Sequence, residues 1–230
     1  MRLLLAIAGL VVGAIICLFF GSKIIAFIER PYIGVMGEEA RLQTLAPADG
    51  FVSYVKIALI SGLIISSPWV FYQIWMFVAA GLYQSEKRYV RMAAPFSASL
   101  FVAGALFFIF AVAPITLGFL VSFNKRILGV SSNFTFQNYI SFITTLMLVF
   151  GIAFQTPVAI FFLNKTGLVS LQALRRSRKY VLLGVFVVAA MATPPDVVSQ
   201  VTLAVPLYAL FELGILLSYL ASRRRKSPGA

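Results

Sequence analysis

Long apolar runs separated by short polar islands set the pattern of this chain. Leu3 to Phe20 carries no charged residue, and its eighteen positions cross about 27 Å at about 1.5 Å per residue. Five more runs follow, at 51–79, 92–123, 139–163, 180–193 and 197–220. The second and third are longer than a bilayer needs, so those helices tilt or protrude. The fifth reaches only about 21 Å. Pro68 interrupts the second run, Pro95 and Pro114 stand near the ends of the third, and Gln155-Thr156-Pro157 breaks the fourth. A proline inside a helix removes one ladder bond and kinks the axis. The pattern predicts an all-α polytopic membrane protein with six transmembrane helices: long, kinked second and third helices and short fifth and sixth ones.

Smaller signals refine this picture. Ser66 and Ser67 precede Pro68 and can satisfy the carbonyls it frees. Gly9, Gly13, Cys17 and Gly21 recur every four residues, a stripe suited to close helix packing. Trp69, Tyr72 and Trp75 approach the next polar island like an interfacial aromatic belt. Gly21-Ser22-Lys23 is a poor cleavage site, so the first run reads as a span rather than a signal peptide. Residues 23–50 form a long loop in which Pro31, Gly34 and Gly37 break regular structure.

Composition agrees with the pattern. Of 230 residues, 61% are hydrophobic and 11% charged, with mean hydropathy +0.97. A soluble domain carries about 25% charged residues. The excess apolar surface belongs in lipid, and no stretch is polar and long enough for a second domain, so residues 1–230 read as one transmembrane domain. The net charge of +12 sits in short loops between apolar runs, where topology signals sit, which argues against a nucleic-acid partner. With six spans, Arg2, the 81–91 island, the 164–179 loop and the tail share one side and hold thirteen of the nineteen basic residues. That excess places both termini in the cytoplasm. The sequence has no histidine and one cysteine, Cys17, which removes imidazole zinc sites, Ser-His-Asp catalysis and a disulfide framework. No catalytic site, metal or cofactor is expected.

The candidate chemistry is sparse. Gly81-Leu82-Tyr83-Gln84-Ser85-Glu86-Lys87-Arg88-Tyr89-Val90-Arg91 places Glu86 as the lone acid on the basic side. Behind Ser85 as a cap, Glu86 favours the helix dipole; it also offers a carboxylate to an incoming guanidinium. Lys87, Arg88 and Arg91 partly neutralise it, so a cationic ligand needs further contacts. Gln155, mid-membrane, either bonds a neighbouring helix or faces a cavity. Glu212 is the one ionisable residue deep in a span, read as functional unless it pairs. Asp196 can cap the sixth helix, with Gln200 one turn later on the same face.

Four separated motifs then resemble one family. Leu82 to Arg88, Phe150 to Ile160 (with Gln155-Thr156-Pro157), Thr193 to Gln200, and Ser67 to Trp75 follow in order and, with Phe211-Glu212, resemble the TatC family. Its members are receptor subunits of twin-arginine protein translocases. The resemblance implies six spans in a cup-like bundle in the bacterial inner membrane. It implies no enzymatic activity, and a receptor that binds twin-arginine signal peptides of folded precursors at the cytoplasmic face. Export would then proceed with the single-span partners TatA and TatB in a multi-copy assembly, driven by the proton-motive force. The family's signal-peptide glutamate falls on Glu86 and its neighbouring phenylalanine on Phe77, with Lys87 and Arg88 in the same motif. The outer-loop proline falls on Pro31, and the outer-turn pair on Asp196 and Gln200; Gln155 and Glu212 join these as translocation or partner-helix positions. Three departures stand out. The chain starts at Met1-Arg2-Leu3, just past the point where the family's Glu-Leu-Arg segment supplies a second carboxylate. Gln155 replaces a common glutamate and cannot ionise, and Ala80 replaces a common proline. The competing reading is a secondary transporter of a small solute, with Glu212 or Gln155 as a midplane site; the two halves of the chain show no repeat to support it.

Overall fold

The computed structural model describes residues 1–37, 41–81, 87–129, 134–193 and 196–225, without side-chain detail at 87–92, 128 and 223–225. Helices account for nearly all of it. They are α1 (Arg2–Phe19), α2 (Gly21–Ile28), α3 (Arg30–Met36), α4 (Asp49–Ala80), α5 (Lys87–Phe107), α6 (Ala113–Phe123), α7 (Phe136–Ala153), α8 (Thr156–Lys165), α9 (Leu171–Arg176), α10 (Arg178–Ala192) and α11 (Val197–Arg225). Among the described residues there is no strand, only one bridge between Gln43 and Thr135. Among the described residues, five stretches are long and apolar enough to cross a membrane: Arg2–Phe19, Asp49–Ala80, Ala93–Ile127, Phe136–Lys165 and Val197–Ser222. The fifth predicted span, α10, has 15 residues, about 22 Å. Large apolar side chains such as Phe110, Ile115, Leu183 and Val205 point outward. Lipid, not water, satisfies such faces.

The chain divides into two compact units, Met1–Gly151 and Ile152–Ala230. In the first, α1 lies along α4, α4 along α5, and α3 against α6. The small-residue stripe carries the α1–α4 contact. A Cβ added at Gly62 would stand 2.5 Å from the Ala14 amide nitrogen, and one at Gly13 would stand 2.6 Å from the Gly62 carbonyl oxygen. Trp69 closes over Gly9 and donates its indole N–H to the Leu5 carbonyl at 2.9 Å. Behind this contact, Phe108 stacks near Phe150 (5.4 Å) and Phe142 (6.4 Å), and Ile140 and Ile143 are fully buried.

The prolines are accommodated in different ways. Pro68 cannot donate to the Ile64 carbonyl, one turn earlier, and the buried Ser67 hydroxyl does so instead at 2.7 Å. Ser67→Ala therefore leaves a carbonyl unpaired in an apolar interior, at about 1–3 kcal/mol. We expect thermal unfolding in detergent to show that loss, and Ser67→Thr, which keeps the hydroxyl, to recover most of it. In the third span, Pro114 stands at the start of α6 directly after a wide π-turn over Phe108–Val112. The wider turn relieves the clash between a proline ring and the preceding carbonyls.

Two expectations are corrected. Residues 23–50 are not an irregular loop throughout, because α2 and α3 occupy much of them. Pro31 sits in the first turn of α3, where its missing N–H costs nothing. The sixth helix is not short: α11 has 29 residues. Its apolar run ends near Leu220, but Ala221 and the arginines after it are good helix formers, and cations suit a helix C-terminus.

In the second unit, α8, α9 and α10 each pack on α11. Ile160, Leu174, Phe211 and Ile215 form the buried centre, flanked by Val169, Leu171, Val181 and Tyr208. Ser170 caps α9 by accepting from the Ala173 amide at 3.1 Å.

Candidate functional site

Glu86, the residue on which the sequence reading turns, lies outside the described residues, as does Ser85. What surrounds that position along the chain is described. α4 ends at Ala80 with Gly81 as its cap, and α5 begins at Lys87, with Arg88 in the same turn. The two helices pack along each other, and the Trp75 indole N–H donates to the Ser97 hydroxyl at 2.9 Å. Trp75 is thus an inter-helix tie rather than only a belt residue. One turn before the cap, Phe77 is 54% exposed. Its ring is available for contact. Gln73 is buried, and its Oε1 atom has no hydrogen-bond partner.

The outer-loop proline, Pro31, is buried at the start of α3 in a rigid setting. Tyr32 packs against Tyr139 and Phe134 (5.4 and 5.9 Å), and the Tyr139 hydroxyl donates to the Ile28 carbonyl at 2.7 Å. Burial pushes the Glu29 carboxyl above its usual range, and the nearby Arg41 charge opposes that. Asp49 fixes the turn into α4 by accepting the Ala46 amide at 2.9 Å and the Leu45 amide at 3.2 Å. Lys56 lies in the second turn of α4 and donates to the Ser141 hydroxyl at 2.7 Å.

In the second unit Asp196 and Gln200 come together at the start of α11. Asp196 Oδ1 accepts the Ser199 amide at 2.7 Å, the predicted helix cap. Gln200 Nε2 donates to the Phe186 carbonyl at 3.0 Å, which holds α10 to α11. Gln155 stands half-buried at the N-terminal cap of α8, with Pro157 in the first turn. It marks the break between α7 and α8.

Glu212 is paired. Its Oε2 accepts from Arg178 Nη2 at 2.6 Å and its Oε1 from the Tyr208 hydroxyl at 2.9 Å. Arg178 opens α10, so this helix starts beside a residue that lies about 15 Å along α11 from Ser222. The pair thus answers two questions at once: why an acid is tolerated so deep in α11, and where α10 begins. Glu212 and Gln200 are separated by about 18 Å along one helix and do not form a common site. Sequence reading did not single out Arg178. The available signal was the run of cations just before α10, from which one had to neutralise the deep acid.

The comparisons with known proteins agree with one another. The family model described as Sec-independent protein translocase protein (TatC) matches residues 1–206. The Sec-independent protein translocase protein TatC of Escherichia coli (strain K12) is 37% identical over 217 residues, covering 94% of this chain and 83% of its own length. Its counterpart in Aquifex aeolicus (strain VF5) is 36% identical over 225 residues, covering 98% and 93%. A crystal structure of a twin-arginine translocase receptor, TatC, matches with a TM-score of 0.86, 35% identity and 96% coverage of each chain. On this agreement of sequence and fold, the chain belongs to the TatC family: it is a multi-helix membrane subunit of a twin-arginine protein translocase, and not an enzyme.

Proposed function

We propose that this subunit is the translocase's receptor, binding twin-arginine signal peptides of folded precursors at the island between α4 and α5. The observation that carries the reading is the arrangement around that island. Two packed helices tied by Trp75 and Ser97 bracket a chain segment whose one acid is Glu86, and Phe77, four residues before Gly81, is exposed. A carboxylate accepts a guanidinium through two parallel hydrogen bonds, which a lysine ammonium cannot reproduce. Phe77 supplies apolar contact for the segment that follows the arginines. Lys87 and Arg88 raise the selectivity, because a single cation gains little against their repulsion. The similar crystal structure is described as a receptor, in keeping with this role.

The thirteen-to-six distribution of basic residues supports an orientation with both termini in the cytoplasm, which puts the island on the side where precursors are made. In this reading TatA and TatB associate with the bundle, and Gln155, Pro31, Asp196, Gln200 and Glu212 serve partner contact or translocation driven by the proton-motive force. Their observed roles differ. Gln200 and Glu212 hold α10 and α11 together and Asp196 caps α11, so they act by fixing the surface that a partner helix meets.

The test is site-specific photocrosslinking from positions 77 and 86, in membranes, to a twin-arginine signal peptide, with a twin-lysine peptide as control. Strong crosslinking to the first peptide and little to the second is expected. Equal crosslinking to both, unchanged in Glu86→Ala, would reject the assignment of the island. For the partner contact, Gln155→Leu should weaken co-purification of TatA or TatB several-fold, since an amide hydrogen bond between membrane helices contributes roughly 0.6–1.7 kcal/mol. Unchanged co-purification would place the contact elsewhere.

A further inference from the structure

At the end of the first unit away from the 81–91 island lies a cavity of about 220 Å³. Arg30, Pro31 and Gly34 of α3 line it on one side, and Ile109, Phe110 and Pro114 on the other. Its level in the membrane follows from helix length. The first apolar span ends at Phe19, and the Tyr54 hydroxyl, in the second turn of α4, donates to the Leu18 carbonyl there. α3 follows shortly after that point and packs on α6. On the third span, Phe110 to Pro114 lie about 26–32 Å along the helix from Ala93, close to the width of a hydrocarbon core. The cavity therefore sits where acyl chains give way to headgroups. Ile109 is buried, whereas Phe110 is 60% exposed, so the cavity opens on the lipid-facing surface.

The lining defines the occupant. Gly34 leaves its side open, since an added Cβ would meet nothing within 4 Å. Arg30 stands 5.6 Å over the Phe27 ring, which meets Phe110 edge-on at 5.8 Å. Stacking holds a guanidinium by its face and leaves its N–H edge for hydrogen bonds. Among the described residues that edge meets no acceptor: the ion pair there is Arg178–Glu212, and Glu29, next to Arg30 in sequence, lies near Arg41 and Tyr139. The rest of the lining is apolar. A bare anion would answer the guanidinium and not the apolar walls. A neutral hydrocarbon chain would do the reverse, leaving a charge unpaired at the edge of a low-dielectric medium. A molecule with an anionic head on an apolar body answers both.

We propose that this cavity binds one anionic phospholipid, whose phosphate accepts from the Arg30 guanidinium while its glycerol and first methylenes lie against Gly34, Ile109 and Phe110. The proposal involves none of the island's residues and stands apart from the signal-peptide reading.

The test is native mass spectrometry of the full chain in detergent, titrated with phosphatidylglycerol or phosphatidylcholine, with inorganic phosphate as competitor. Wild type should retain one phosphatidylglycerol about fivefold more tightly than phosphatidylcholine, whose choline cancels the phosphate charge. Arg30→Gln should remove that preference. Gly34→Leu, which fills the cavity and keeps the charge, should weaken retention of both lipids by about fivefold. Arg30 is exposed and Gly34 faces open space, so both variants keep the fold, which thermal unfolding without added lipid checks. Lys23→Gln is the control for general surface charge, because Lys23 stacks on Phe20 and does not line the cavity. It should behave as wild type. Equal retention of the two lipids by wild type, or the same loss in Lys23→Gln as in Arg30→Gln, overturns the proposal. Displacement of phosphatidylglycerol by an equal concentration of inorganic phosphate would overturn the lipid as the occupant.

Discussion

Gly62→Ala is expected to pry α1 away from α4, although alanine is the better helix former by about 1 kcal/mol. The added methyl would stand 2.5 Å from the Ala14 nitrogen and 2.6 Å from its Cα, and both neighbours are backbone. Backbone cannot rotate aside as a side chain can. The helices must separate, and with them go the seat of Trp69 over Gly9 and its bond to the Leu5 carbonyl. Overpacking of this kind costs about 1–3 kcal/mol. At about 2–4 °C per kcal/mol for a chain of this size, the unfolding midpoint in detergent should fall by several degrees. Gly118→Ala is the control, because nothing stands within 4 Å of its added Cβ. That variant should be unchanged or slightly more stable. Equal behaviour of the two would show that close packing at this crossing contributes nothing.

Glu86→Gln should have the largest effect on binding. The side chain keeps its size and one acceptor oxygen but loses the charge and the second equivalent acceptor. A hydrogen bond to a charged group contributes about 1.5–3 kcal/mol, so affinity for a twin-arginine peptide should fall about 10- to 150-fold. Lys87, Arg88 and Arg91 sharpen the loss, because without the carboxylate the island only repels cations. Fluorescence anisotropy with a labelled signal peptide measures it, and raising the salt should weaken wild-type binding more than that of the variant.

Much of this fold could be read from hydrophobic run length alone, because lipid leaves the backbone few choices. Runs at 3–20 and 51–79 became α1 and α4 within two residues at each end. The Ser67 bond that repairs Pro68 was also legible, since serine one residue before a proline can reach back to the freed carbonyl. The outer segment was not. Pro31, Gly34 and Gly37 read as breakers, yet proline at a helix start is favourable, and only the chain's path distinguishes the two uses. The π-turn before Pro114 likewise depends on how α3 and the buried Phe108 pack around it. In the candidate site, the Asp196 cap followed from local spacing, because cap and amide are three residues apart. The Arg178–Glu212 pair did not, because 34 residues separate its members. Gln200 was legible as a position but not as a tie to Phe186, whose carbonyl gives no mark in sequence.

The chain is a membrane subunit of a twin-arginine translocase, and the proposed receptor role rests on one carboxylate, Glu86, meeting arginine pairs. A double-mutant cycle tests that claim most directly, pairing wild type and Glu86→Gln with twin-arginine and twin-lysine peptides and measuring all four affinities. The account predicts that the arginine preference collapses in the variant, with a coupling of at least about 1.4 kcal/mol, a factor of ten. The same arginine preference in both proteins would contradict it, because the discrimination would then arise somewhere other than Glu86.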